Sequence, residues 1–142
     1  MKRWLAAAFF TVLLVVPLMA AAPSAEKSET SAAVKSARAW LALVDQGKYA
    51  QSWKQASDLV QKAVTQEKWE TAMAGARKSL GKLEKRMLGS AHEAKDLPGA
   101  PAGDYVIIRF LANFEHKKAA VETVTMQKQP DGTWRAAGYF IK

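Results

Sequence analysis

Tyr105-Val106-Ile107-Ile108-Arg109-Phe110-Leu111-Ala112-Asn113-Phe114 is the stretch that decides the fold. Successive side chains of a strand point to opposite faces. Val106, Ile108, Phe110, Ala112 and Phe114 therefore share one face, and Tyr105, Ile107, Arg109 and Leu111 share the other. Both faces are apolar, which predicts a strand inside a sheet with neighbours on both sides.

The neighbours are legible downstream. Ala119 to Lys128 alternates as a second strand, Pro130-Asp131-Gly132 is a turn signal favouring a tight hairpin, and Trp134 to Ile141 closes the sheet. Upstream, Leu97-Pro98-Gly99-Ala100-Pro101-Ala102-Gly103-Asp104 is a loop. Before it, Lys82 to Ala91 alternates weakly, with Leu83 and Met87 on one side and Glu84 and Arg86 on the other.

North of Gly81 the period changes from 2 to about 3.6. Val34, Ala37, Leu41 and Val44, widened by Trp40 and Leu43, form one helical stripe that ends near Gly47. Tyr49, Trp53, Ala56, Val60 and Ala63 form a second. In the third, Thr65 is an N-cap candidate, Glu67 suits the first turn, and Trp69, Met73, Ala76 and Leu80 make the stripe. Helices followed by strands predict an α+β fold, with N-terminal helices packed on one face of a curved antiparallel sheet of about four strands.

The N-terminus carries a different signal. Met1-Lys2-Arg3 precedes the apolar run Trp4–Val16, and Pro17-Leu18-Met19-Ala20-Ala21-Ala22 follows with small residues. That is the layout of a secretory signal peptide over residues 1–22, cleaved between Ala20 and Ser24. An uncleaved anchor is the alternative, but the run is thirteen residues before Pro17, and a spanning helix needs about 17 or more. Residues 23–31, rich in Ser, Ala, Glu and Lys, read as a solvated linker. Residues 32–142 then form a single domain, expected in the periplasm or outside the cell with no stable membrane anchor after cleavage.

Composition narrows the function classes. The chain has no cysteine, which removes disulfides, thiol catalysis, thiolate metal sites and a lipid-anchored leader. Lys and Arg number 21 against 13 Asp and Glu, a net charge of +8; losing Lys2 and Arg3 leaves 19 against 13, or +6. Such a balance suits anionic head groups, wall polymers or an acidic partner, or solubility alone. The cations are dispersed, with no block of five, so no nucleic-acid partner is expected. His92 and His116 have no ligand-spaced companions, and Gly99 and Gly103 do not lead into a helix, so neither a metal nor a cofactor is expected.

The segments Trp40-Leu41-Ala42-Leu43-Val44-Asp45, Tyr49-Ala50-Gln51-Ser52-Trp53, Trp69, Arg77 with Gly81, Arg86, Leu97 to Pro101, Gly103-Asp104-Tyr105, Glu122-Thr123-Val124-Thr125 and Gly132-Thr133-Trp134-Arg135 with Gly138-Tyr139 resemble the domain-of-unknown-function family 4019. The resemblance runs from about Ala32 to the C-terminus. It implies a small exported bacterial protein with no assigned activity. By analogy its element order is similar to NTF2-like and cystatin-like folds, in which a curved sheet wraps a helix; fold alone does not fix function.

Glu122 is the foremost candidate residue. Alternation puts it with Val124 and Met126 on the apolar side of its strand. A carboxylate there must be paired or shifted in pKa. Its candidate partners are Arg77, Arg86 and Arg109. It reads either as a salt bridge fixing helix to sheet or as a pocket acid or base helped by Arg77 or Tyr139. Trp53, Trp69, Phe110 and Phe114 are a candidate lining for an apolar ligand pocket, or simply core. Asp45 is either a helix-end residue or a catalytic acid. Arg109 and Tyr105, on the second face of the central strand, are candidates for a homodimer contact. Two functions stand: a non-enzymatic module binding a partner protein, an envelope component or a small apolar ligand, and a small NTF2-like enzyme using Glu122.

Overall fold

The computed structural model describes residues 24–142, so the leader reading lies outside the described residues. Four helices come first: α1 (Ser24–Asp45), α2 (Tyr49–Lys54), α3 (Asp58–Ala63) and α4 (Gln66–Lys78). Four strands follow: β1 (Leu83–Ala94), β2 (Tyr105–Phe114), β3 (Ala120–Lys128) and β4 (Trp134–Ile141). They pair antiparallel in the order β1-β2-β3-β4, so the fold is α+β, with β2 in the interior as its two apolar faces require.

Two helical readings change. Residues 24–31 are the first turns of α1 rather than a linker. Half of them are the weaker helix formers Ser and Thr, with Glu26 at the favourable end of the dipole. Contacts distant in sequence anchor them: Glu29 meets the Lys128 ammonium at 2.9 Å, and the Thr30 hydroxyl donates to Glu93 at 2.7 Å. The stripe from Tyr49 to Ala63 is broken into α2 and α3. At the break Ser57 is extended and its N–H donates to Ala136 of β4 at 2.8 Å. The Gln61 amide donates to the carbonyls of Trp53, Lys54 and Ala56, tying α3 to the end of α2.

The core lies between α1 and the inner sheet face. Ala33, Ala37, Trp40, Leu41 and Val44 bury against Val106, Ile108, Phe110, Val124, Met126 and Ala136. A second cluster of Leu80, Ala112, Phe114 and Ala120 closes the end of the sheet nearest α4. Thr65 caps α4 by accepting from the Lys68 N–H. On α4, Arg77 rather than Ala76 takes the buried position. Gly81, at φ +71°, turns the chain into β1 where a Cβ would stand 2.9 Å from that of Glu115.

Bulges interrupt both edge strands. On β1 the register slips at Glu84 and at Gly89. The slip at Glu84 puts Leu83, opposite Phe114, and Arg86, opposite Ala112, on the same inner face, while Met87 pairs with Leu111 on the outer one. The expected pairing of Leu83 with Met87 is therefore wrong by one residue. On β4 Ala137 is the extra residue between the Gly138 and Ala136 pairings, so Trp134, Ala136, Tyr139 and Ile141 all face inward. A bulge of this kind re-aims side chains, and pairing resumes on either side of the one unpaired residue. Among the described residues no helix covers the outer face, where Met87, Leu111 and Phe140 are about half exposed.

Candidate functional site

Five elements each send one side chain to a common point at the α4 end of the core: Asp45 from α1, Arg77 from α4, Arg86 from β1, Glu122 from β3 and Tyr139 from β4. Glu122 is fully buried, as the alternation of β3 predicts. Its Oε2 accepts from Arg86 Nε at 2.5 Å; its Oε1 accepts from Arg86 Nη2 at 3.0 Å and from the Tyr139 hydroxyl at 2.6 Å. Arg77 Nη1 stands 3.8 Å from the same oxygen.

Asp45 completes the cluster from the other side. It accepts from Arg77 Nη2 at 2.8 Å and from Arg86 Nη1 and Nη2 at 2.7 and 2.9 Å. Arg86 thus makes a two-pronged contact with each carboxylate, the geometry that suits a guanidinium best. Arg77 also donates to Tyr139 at 3.4 Å and lies 4.8 Å over the Phe114 ring. Two cations face two anions, so the buried group is neutral overall, and Arg77 Nε has no hydrogen-bond partner among the described residues.

The electrostatics follow from burial and pairing. Burial works against the Asp45 charge, but hydrogen bonds and charge from Arg86, then Arg77, outweigh it and hold the carboxyl below the usual Asp range. Burial likewise opposes the charge of Arg86, and Asp45 and Glu122 more than offset it, leaving the guanidinium firmly protonated. Burial, reinforced by the Glu122 charge, pushes the Tyr139 hydroxyl well above its ordinary range, so it stays a neutral donor.

Of the sequence candidates, the structure brings Glu122, Arg77, Arg86, Tyr139 and Asp45 together. Arg109 is not among them: it pairs in register with Thr123 on the outer face and is exposed. Tyr105 is buried, its hydroxyl donating to the Pro101 carbonyl at 2.6 Å under the loop after β1. None of the five best-formed clefts of the described residues has Trp53, Trp69, Phe110 or Phe114 in its wall. Phe110 and Phe114 are closed in separate core clusters. Half-buried Trp69 and Trp53 are fixed by indole N–H bonds to the Ser52 hydroxyl and the Val64 carbonyl. Trp40, donating to Ser52 at 2.9 Å, stacks edge-on with Tyr139 at 5.6 Å.

What the sequence reading missed is Asp45 as the second anion. A signal was present: an acidic residue ends α1, where the helix dipole disfavours negative charge, and the last turn has no basic residue to offset it. A cleft of about 430 Å³ opens beside the cluster, with Asp45, Tyr49, Arg77 and Lys82 in its wall; Glu122 is not in that wall. Among the described residues no group of three His, Asp or Glu side chains is placed to hold a metal, and no helix is long and apolar enough to cross a membrane.

A family model described as "Protein of unknown function (DUF4019)" matches residues 36–139. No curated protein matches the chain.

Proposed function

The chain belongs to the DUF4019 family, and we propose that it is an exported, non-enzymatic binding module of the cell envelope in which the five-residue ionic cluster is a structural lock. One observation carries this reading. Glu122, the fully buried carboxylate, is already engaged by Arg86, Tyr139 and Arg77. General acid–base work needs a carboxylate within hydrogen-bond reach of a substrate and with a pKa tuned for the transfer. Glu122 has two guanidinium neighbours and no place in the wall of the adjoining cleft. Export rests on the charged, apolar and small-residue order of residues 1–22.

The lock has a mechanical logic. Its five side chains come from α1, α4 and three of the four strands, and Phe114 of β2 floors it. Such a cluster adds little net free energy over an apolar one, but it is satisfied in one arrangement only, which fixes how the helices sit on the sheet. A binding module gains from that because its outer surface is then presented in one shape.

Native mass spectrometry of protein purified from its own envelope tests the proposal. The expected result is a mass beginning between residues 21 and 24 together with a retained partner or adduct. A chain that keeps residues 1–20 in the cytosol overturns export. Turnover of a substrate that disappears in Glu122→Gln, while its melting temperature holds, establishes the acid–base enzyme instead.

A further inference from the structure

Across the outer sheet face, Met87 of β1, Leu111 of β2 and Val121 of β3 lie in one row of paired positions. Arg109, Thr123 and Phe140 form the next. Met87, Leu111 and Phe140 are 47%, 47% and 50% exposed. Lys85, Arg109 and Lys142 surround this apolar strip, the Lys142 ammonium 5.4 Å from the Phe140 ring centroid. Among the described residues the strands bring one carboxylate to this face, Glu84 beside Lys85 at its edge. Of the three on the strands, Glu93 takes the Thr30 hydroxyl of α1, Glu122 is in the buried cluster, and Glu84, at an edge bulge, is paired with Lys118. The helical side mixes both signs: Asp58, Glu67 and Glu70 lie among Lys62 and Lys68.

We propose that this outer face, with Phe140 and Leu111 at its centre and Lys85, Arg109 and Lys142 around them, docks on an anionic lipid bilayer surface. The inference rests on the reading of the chain as a binding module and names its partner. Half-exposed apolar side chains ringed by cations match the boundary between head groups and acyl chains, where apolar burial and attraction to anionic lipid act together. A second copy fits poorly, because face-to-face docking would bring Arg109 and Lys142 against cations, and the one acid at the edge, Glu84, is already paired with Lys118. A protein partner would use pockets for its anchoring side chains. The five best-formed clefts of the described residues leave Met87, Leu111 and Phe140 out of their walls.

Co-sedimentation of the exported, processed protein with vesicles tests this, after an intact mass has fixed where the chain begins. Wild type is expected on phosphatidylglycerol–phosphatidylcholine vesicles and not on phosphatidylcholine alone. Raising salt from about 0.1 to 1 M shortens the screening length roughly threefold and should release it. Each charge near an anionic surface is worth about fivefold in partition, so Arg109→Gln weakens binding about fivefold and Arg109→Glu roughly 30-fold. Phe140→Ser weakens it about tenfold. Lys62→Glu, on α3, makes the same charge change away from the face and should cost no more than about threefold, since a screened charge acts only within a Debye length. All four variants are surface changes and should melt like wild type.

Equal binding to neutral and anionic vesicles overturns the proposal. So does equal weakening by Lys62→Glu and Arg109→Glu, which would make net charge the cause rather than this face. A doubled mass in solution that Phe140→Ser abolishes would assign the face to a second copy. Retention of residues 1–20 in the intact mass would instead strike the export reading on which the module rests.

Discussion

Glu122→Gln probes the buried cluster most directly, because it removes charge and almost no volume. Glu122 accepts three hydrogen bonds, two at Oε1 and one at Oε2. Glutamine has one acceptor oxygen. If that oxygen occupies the Oε1 position, the amide nitrogen faces Arg86 Nε at the 2.5 Å contact, donor against donor. If it occupies the Oε2 position, the nitrogen faces Arg86 Nη2. Either way a bond is lost, and Arg86 and Arg77, 9% and 6% exposed, share one carboxylate where they had two. Removing one partner of a buried ion pair costs about 3–5 kcal/mol, and the surviving Asp45 puts this case near about 3. For a domain of this size about 1 kcal/mol moves the midpoint by roughly 4 °C, so the expected fall is about 12 °C.

Thermal melting followed by circular dichroism at pH 7, with urea denaturation to check that the slope is unchanged, reads this out. A double-mutant cycle with Arg86→Gln should add a coupling above about 1 kcal/mol, since the two side chains are in direct contact. A fall under about 3 °C, or single effects that simply add, would refute the claim that this contact locks the fold.

Three further outcomes follow from neighbouring geometry. Because Arg86 and Arg77 depress the Asp45 carboxyl in the folded state, the unfolded chain takes up the proton first as pH falls. The stability that Asp45 contributes is complete above about pH 5 and drains away below it. Asp45→Asn should therefore flatten the loss of stability between about pH 5 and 3, and an unaltered slope in acid denaturation would contradict the pairing. Tyr139→Phe removes one of the three donors to Glu122 and should cost about 1–2 kcal/mol, less than Glu122→Gln, in the same melt. Gly81→Ala forces a side chain into φ +71° and against Glu115 and His116, so a loss of about 2–4 kcal/mol is expected; a neutral result would refute that close approach.

How much of this was legible in the chain depends on which interactions set each element. β2 was readable to its ends because ten residues of strict alternation leave one solution, and the buried side of β3, Glu122 included, followed from the same period. The thin signal of β1 has a cause: two bulges break its alternation, and period counting has no means of placing an extra residue. The first turns of α1 look like solvated linker because their anchors, Lys128 and Glu93, are far along the chain. The break between α2 and α3 is set by Ser57 bonding to β4, again a tertiary cause.

The same bulges explain why the cluster itself was only half visible. Strict alternation from Trp134 through Ala136 would carry Gly138 and Phe140 inward and send the Tyr139 hydroxyl to solvent. The extra residue at Ala137 reverses that parity, and the one at Glu84 does the same for Arg86 on the opposite edge. Two interior strands thus supply the anion and the aromatic floor by simple period, while each edge strand spends one irregular residue to bring its polar group to bear. The bulge on β4 has a second effect: it leaves Phe140 on the outer face, beside Lys142. One backbone irregularity therefore both completes the internal ion cluster and exposes the aromatic side chain at the centre of the surface proposed to meet the lipid.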